Sequence, residues 1–476
     1  MNNRMFLNKI FARPIELDSP LLVKWLIVAT VLFLSAYLAR GSSFVYLFGI
    51  IGIIGVLILI RLPRIGLLAL LVGSLVAPIS IGTGSQTQLN ITVILIPALL
   101  GLWLADMVRR HKVELVPSSV NLPLFALAIS ATISLIAGNI RWNLFAVMAP
   151  AQTQFAGWAI FVFSAGVVFL VANQIDDQRW LQLFTWLFLV IAGLYMLGRL
   201  RVPPFNQLST LMNGLGADGS VFWIWVAALA TGQLLFNPKL HRVIRLGLAG
   251  LVGATVYVGF VLARDWASGW LPPLVAIGVI VWLRSRYLAV LLGVAGISLV
   301  LVAKPDLIFD LLRTQQSVES YSLMTRDVAR QILVEQIFPL SPILGLGPAN
   351  YYWYTPLYPI LGWYVKFNSH NNYVDIIMQT GLIGLFCFFW VIGALGWLGW
   401  RLRKQFLDGF ERGYIYACLG GIAGTLVACW LADWLLPFVY NIGLRGFRAS
   451  ILAWFFLGGL VSLEQIARRS KTQSIE

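Results

Sequence analysis

The sequence predicts an all-α, polytopic membrane protein with about fourteen transmembrane spans and one large extracytoplasmic loop before the twelfth. Two observations carry this. Of 476 residues, 59% are hydrophobic and only 11% are charged, a balance outside that of soluble domains. Apolar runs near the length needed to cross hydrocarbon recur from end to end. They are continuous rather than alternating, which excludes a membrane barrel.

The first 20 residues carry Arg4, Lys9, Arg13, Glu16 and Asp18. The apolar run that begins at Leu21 has no small-residue cleavage site behind it, so it reads as a first span rather than a removable signal. Spans are expected at 21–38, 43–60, 65–81, 91–108, 122–137, 154–171, 180–197 and 220–235. Six more are expected at 244–261, 270–283, 288–302, 372–397, 414–434 and 451–463. The run at 270–283 is short and contains Pro272-Pro273. The chain thus divides into a membrane domain over 1–303, an extracytoplasmic loop over 304–370, and a membrane domain with the last three spans over 371–476.

Cations set the orientation. Most of the 34 Lys and Arg residues fall on one side, among them Arg61, Arg64, Arg109, Arg110, Lys112, Lys239, Arg401, Arg403, Lys404, Arg468 and Arg469. That side is cytoplasmic, both termini lie there, and the expected location is the cytoplasmic (inner) membrane. The net charge of +15 is scattered between apolar runs rather than gathered in a basic domain, so nucleic acid is not an expected partner. Cys387, Cys418 and Cys429 all sit inside apolar runs and read as small core residues, not as a disulfide or metal set.

Most external connections are short. The exception runs from Lys304 to Ser369, and a loop of that length in a compact protein is usually functional. Within it, 319–338 reads as a surface helix stopped by Pro339. Tyr321, Met324, Val328 and Ile332 make one apolar face. Arg326 and Arg330 lie one turn apart on another, where paired guanidinium groups can grip an anion. Pro342-Ile-Leu-Gly345-Leu-Gly347-Pro348-Ala-Asn350 has the wrong spacing for a dinucleotide fingerprint and reads as a tight turn returning the loop to the membrane. Tyr351, Tyr352, Trp353 and Tyr354 follow; they could stack on sugar rings or form an interfacial aromatic belt.

His370 closes the loop in Asn368-Ser369-His370-Asn371-Asn372-Tyr373. It is one of only three histidines. A lone imidazole there can accept a proton near neutral pH; the competing reading is a residue that caps or solvates the helix start. Arg264 stands in the short external turn Ala263-Arg264-Asp265-Trp266. A cation at that depth is costly unless functional, paired with Asp265, or snorkelling to the interface. Arg264, Arg326 and His370 share one side of the membrane. Two fixed guanidinium groups suit a diphosphate, and a neutral imidazole suits removal of a hydroxyl proton. Asp375 and Gln379 follow His370, but one acid and one amide are no metal set, and no cofactor is expected.

Three segments resemble the O-antigen ligase and polymerase superfamily of membrane glycan transferases. Thr325-Arg326 through Gly345-Leu-Gly347-Pro348-Ala-Asn350 is similar to a stretch running from an arginine to a glycine-rich turn. Ser369-His370-Asn371-Asn372-Tyr373 through Gly381-Leu-Ile-Gly384 resembles a histidine-asparagine motif with its following helix. Ala263-Arg264-Asp265-Trp266 resembles a serine-arginine-small-tryptophan motif, with Ala263 and Asp265 as departures, and Gln379 stands where an acid is common. The resemblance implies a polyprenyl-diphosphate-linked glycan donor and a lipid, glycan or protein acceptor. It implies His370 as base, Arg264 and Arg326 on the diphosphate, and a metal-independent, inverting transfer. A transporter of a small anion or lipid-linked sugar, or a scaffold using the loop as a docking surface, are the alternatives.

Overall fold

Long apolar segments that must satisfy their backbone groups internally fold as helices, and the computed structural model is helical almost throughout. It describes residues 62–473 apart from 79, 83–87, 141, 213–215, 264–265 and 304–317. The expected spans at 21–38 and 43–60, and Arg264 with Asp265, lie outside the described residues.

Each expected span inside them overlaps a helix, though the one at 65–81 runs past the helix end at Val76 into a β-hairpin. α1 is Pro63–Val76, followed by a hairpin of β1 (Ser80–Gly82) and β2 (Gln88–Asn90). Then come α2 (Ile91–Arg109), α3 (Asn121–Ala137), α4 (Ala151–Gln174), α5 (Gln178–Arg199) and α6 (Ser220–Phe236). α7 (Arg242–Tyr257) runs on into a π-helical turn, Val258–Leu262. α8 is Ala267–Arg284 and α9 is Arg286–Ala303. After the loop helix α10 (Val318–Ile332) come α11 (Asn372–Leu402), α12 (Phe410–Leu431) and α13 (Gly443–Gln473). Among the described residues, eight helices are long and apolar enough to cross a membrane, and α1, α3, α6 and part of α9 are apolar but shorter. The chain is an integral membrane protein.

α13 lies at the centre. Its apolar 18-residue stretch is entirely buried, as a segment with no polar stripe must be. It packs on α4, α6, α11 and α12. Small residues bring the axes close: a Cβ on Gly458 would stand 2.8 Å from Val171 of α4. Tyr414 of α12 donates its hydroxyl to the Phe456 carbonyl at 2.7 Å. α8 approaches α12 over Gly420 and Gly424, and a Cβ on Gly424 would meet the Pro272 carbonyl at 2.6 Å. At the cation-rich end, Glu464 is only 2% exposed. Arg401, Arg468 and Ser118 all donate to its carboxylate, so this buried charge is compensated.

The loop helix ends as the sequence predicts, but through a π-helical turn (Leu333–Ile337) and a 3-10 turn (Phe338–Leu340) rather than one continuous α-helix. Its packed face is shifted by one residue. Ala329, Ile332 and Leu333 join a buried cluster with Tyr351, Tyr354, Met378 and Phe438, and Val328 packs against it. Met324 stays exposed.

α11 is broken once. Gly381 has φ 65 and ψ −168, a conformation costly for any residue with a Cβ. The break frees backbone groups, and the Pro342–Gly347 turn takes them. The Leu346 and Gly347 amides donate to the Met378 and Gln379 carbonyls at 2.9 and 3.0 Å. The Leu382 and Ile383 amides donate to the Pro342 and Ile343 carbonyls at 2.9 and 3.3 Å. Gly345 and Gly347 also have positive φ, and a Cβ on Gly347 would come within 2.7 Å of the Gly138 Cα at the end of α3. The glycine-rich segment is therefore a turn docked into a helix break. Gly381→Ala should cost about 1–3 kcal/mol, the cost of holding a non-glycine residue in a backbone region that is essentially glycine's, plus its clash with the turn. Gly393→Ala, farther along α11 with open space at its Cβ, should cost nothing comparable. Thermal midpoints of the purified variants measure the difference; equal midpoints would refute the docking argument.

Candidate functional site

The first turn of α11 is set by amides. Asn371, not His370, caps it: its side-chain oxygen accepts from the Tyr373 and Val374 amides at 3.0 and 3.2 Å, as an N-cap does. Its amide nitrogen donates to the Trp430 carbonyl of α12 at 2.9 Å. Asn372 clips the α12–α13 connection to α11. It accepts from the Leu435 and Leu436 amides and donates to the Leu436 carbonyl at 2.7 Å. Relieved of capping, His370 sits just outside the helix with φ 48, in the left-handed region that histidine visits more often than most residues.

The α12–α13 connection supplies the partner of His370. Asn441 places its amide nitrogen 3.2 Å from His370 Nδ1 and also donates to Asp433 Oδ1. Asp433 is fully buried, and its Oδ2 accepts from the Phe438 amide at 2.8 Å. An amide nitrogen only donates, so in this arrangement Nδ1 holds the lone pair and Nε2 the ring proton.

Aromatic packing fixes that connection. Tyr351 stacks on Phe438 with ring centroids 4.5 Å apart, and Tyr352 stacks on Tyr440 at the same separation. The Trp353 indole donates to the Tyr440 hydroxyl at 2.7 Å, and Lys366 Nζ lies over the Trp353 ring. Tyr351 and Tyr354 are fully buried, so these two are neither an interfacial belt nor a sugar platform. They are the core of the loop. Trp363 and Tyr364 are the exposed aromatics of this region.

A second acid lies beneath. Asp375 Oδ1 accepts from the Tyr351 hydroxyl and from Ser369 Oγ, the latter at 2.7 Å, while its Oδ2 is buried with no partner among the described residues. Gln379 accepts from the Ala349 amide at 3.3 Å and donates to the Asp375 carbonyl. Asn350 accepts from the Ala149 amide and donates to the Gly138 and Leu346 carbonyls. The polar residues around His370 are thus largely occupied in holding backbone.

The structure brings Arg326 and Arg330 to His370. Burial, then the charges of Arg326 and Arg330, lower the His370 pKa from 6.5 to about 4, so the ring is neutral across the physiological range. Arg330 pairs with Asp327 at 3.1 Å and points Nε at the Ser369 carbonyl at 3.4 Å. Arg264 lies outside the described residues. Beyond it in sequence, Trp266 packs edge-on against Trp434, next to Asp433, and Trp434 donates to Ser268 at 3.3 Å. Among the described residues, no cluster of three or more His, Cys, Asp or Glu could hold a metal ion.

Sequence reasoning missed Asp433 and Asn441. Asp433 had a signal: an acid at the end of an apolar run is expensive and calls for a role. Asn441 had none, because its importance comes from a contact across 71 residues.

Residues 244–389 match the family model described as O-antigen ligase. The match spans less than half of the chain and includes Arg264, Arg326, Arg330 and His370. It supports the O-antigen ligase and polymerase superfamily and, at family level, glycan transfer of the ligase or polymerase type in cell-envelope biogenesis. Comparison with curated proteins gives no match.

The His370 environment has a consequence for stability. The unfolded chain protonates this imidazole near 6.5, whereas the folded chain resists until about 4. Acid in that window favours the unfolded state, so stability falls as pH drops from about 6.5 towards 4. His370→Asn should remove this component. Thermal midpoints of both proteins from pH 7 to 4.5 measure it, and parallel decline would refute the burial of the ring.

Proposed function

We propose that the chain transfers a glycan from a polyprenyl-diphosphate carrier to an acceptor hydroxyl, with His370 as the base. The observation that carries this reading is the convergence of a neutral imidazole with two guanidinium groups, inside the segment that matches the O-antigen ligase model. Arg326, with Arg264 and Arg330, would bind the diphosphate bidentately and stabilise it as it leaves. His370 would take the hydroxyl proton as the oxygen attacks the anomeric carbon. The new C–O bond forms as the bond to the diphosphate breaks, which inverts the centre, and the step uses no metal. A lipid, a growing glycan or a protein hydroxyl could be the acceptor.

A transporter is the second reading, favoured by the break in α11, since carriers bind substrate at interrupted helices. Here the groups freed at Gly381 are taken by the Pro342–Gly347 turn, and the candidate residues gather at one end of the helix rather than at its middle.

The proposed topology has about fourteen spans, a long loop outside the cytoplasmic membrane, and both termini in the cytoplasm. An impermeant thiol reagent should reach Tyr364→Cys in intact cells and should not reach Lys239→Cys; the reverse pattern would overturn the orientation. For the chemistry, His370→Ala should abolish transfer in a purified assay with a polyprenyl-diphosphate glycan, while folding is kept. Arg264→Ala and Arg326→Ala should each weaken donor binding roughly tenfold to a hundredfold, the worth of a charge-assisted contact. Lys should rescue only partly, and Arg330→Ala, already engaged by Asp327, should cost less. Transfer by His370→Ala at the wild-type rate would refute the base.

A further inference from the structure

We propose that Asn441 and Asp433 are positioning residues that decide which ring nitrogen of His370 carries the lone pair. This rests on the reading of His370 as the base, and it resolves a conflict within that reading. A base that meets the acceptor through Nε2 needs Nε2 unprotonated. The arrangement around Asn441 puts the ring proton there.

The conflict lies in one amide. Asn441 turns the same end towards both neighbours, Asp433 Oδ1 and His370 Nδ1. With the nitrogen end facing them, Asp433 must be a carboxylate and Nδ1 must accept. His370 is then an N–H donor at Nε2. Turned half a revolution about its terminal torsion, the amide presents oxygen to both. That state needs one proton on Asp433, donated to Asn441, and the ring proton on Nδ1. Nε2 is then free to act as base. A single proton on Asp433 therefore converts His370 from donor to acceptor.

The surroundings suit both states. Asp433 is fully buried, and burial pushes its pKa up from the ordinary carboxylate range, which brings the protonated form within reach. Facing it are Asp375 on α11, Tyr351 in the loop and Cys429 on α12. Arg326 and Arg330 face His370 from α10 and oppose a charged ring in either state. During transfer the hydroxyl proton would move to Nε2 while Nδ1–H stays on the Asn441 oxygen. The ring then returns its proton from Nε2 to the released diphosphate or to water.

The test uses the full chain in nanodiscs, labelled with 15N-histidine. Only three histidines are present, so the His370 signals are those lost in His370→Ala. Above the titration range of Asp433, the wild-type ring should carry its proton on Nε2. Asp433→Asn keeps the shape. Its oxygen stays on the Phe438 amide, and its nitrogen donates to Asn441, which should move the His370 proton to Nδ1. Asn441→Leu should leave neither tautomer favoured, so that kcat no longer rises as Asp433 takes up its proton, with donor KM unchanged. If Asp433→Asn leaves the tautomer as in wild type, the proposal is overturned. It is equally overturned if Asn441→Leu alters neither tautomer nor kcat. The tautomer is read without substrate, so it fails separately from the base assignment, which falls only if His370→Ala still transfers glycan.

Discussion

The break in α11 at Gly381 is the constraint on which the site depends. Inside a membrane a backbone group freed from its helix must find a partner within the protein. Here the partners are the amides and carbonyls of the Pro342–Gly347 turn. That obligation ties the long loop to the same helix whose first turn follows His370. Once the turn is docked, Tyr351 and Tyr354 fall into the buried cluster, and α10 packs its Ala329, Ile332 and Leu333 face on them. Arg326 and Arg330 are thereby brought to the imidazole. The arginine helix and the histidine are far apart in sequence, and backbone hydrogen bonds at one glycine make them neighbours.

A second junction completes the arrangement. Asn372 clips the α12–α13 connection onto α11, and the stacked Tyr352–Tyr440 and Tyr351–Phe438 pairs hold that connection against the loop. Asn441 reaches His370 because of these contacts. Three chain segments therefore meet at one ring: the loop helix by charge, the helix start by covalent connection, and the α12–α13 connection by hydrogen bond.

Much of this was legible in the sequence, and what was legible was local. Helix positions follow from apolar runs, and α8 forms in spite of Pro272-Pro273. The loop, its helix, its glycine turn and His370 all stand out by composition or rarity. Cap identity did not, because adjacent residues such as His370 and Asn371 are both polar at a helix start and only backbone geometry separates them. The aromatic run Tyr351–Tyr354 is equally ambiguous until its stacking partners, Phe438 and Tyr440 in α13's approach, are known. The apolar face of α10 was displaced by one position because its partner surface, not its own periodicity, selects which residues are buried.

The electrostatic character of the site follows from the same architecture. A histidine among arginines is a poor cation, and burial strengthens that preference. The ring is thus kept uncharged where a diphosphate would need positive charge, and the charge is left to guanidinium groups that cannot lose it. The two carboxyl groups, Asp375 and Asp433, are both buried. Each is tied to hydroxyl, amide or backbone donors. Asp433 reaches the ring through Asn441. In the proposed reaction, separating permanent cations from a neutral imidazole would let one small site bind an anion and accept a proton without the two demands opposing each other.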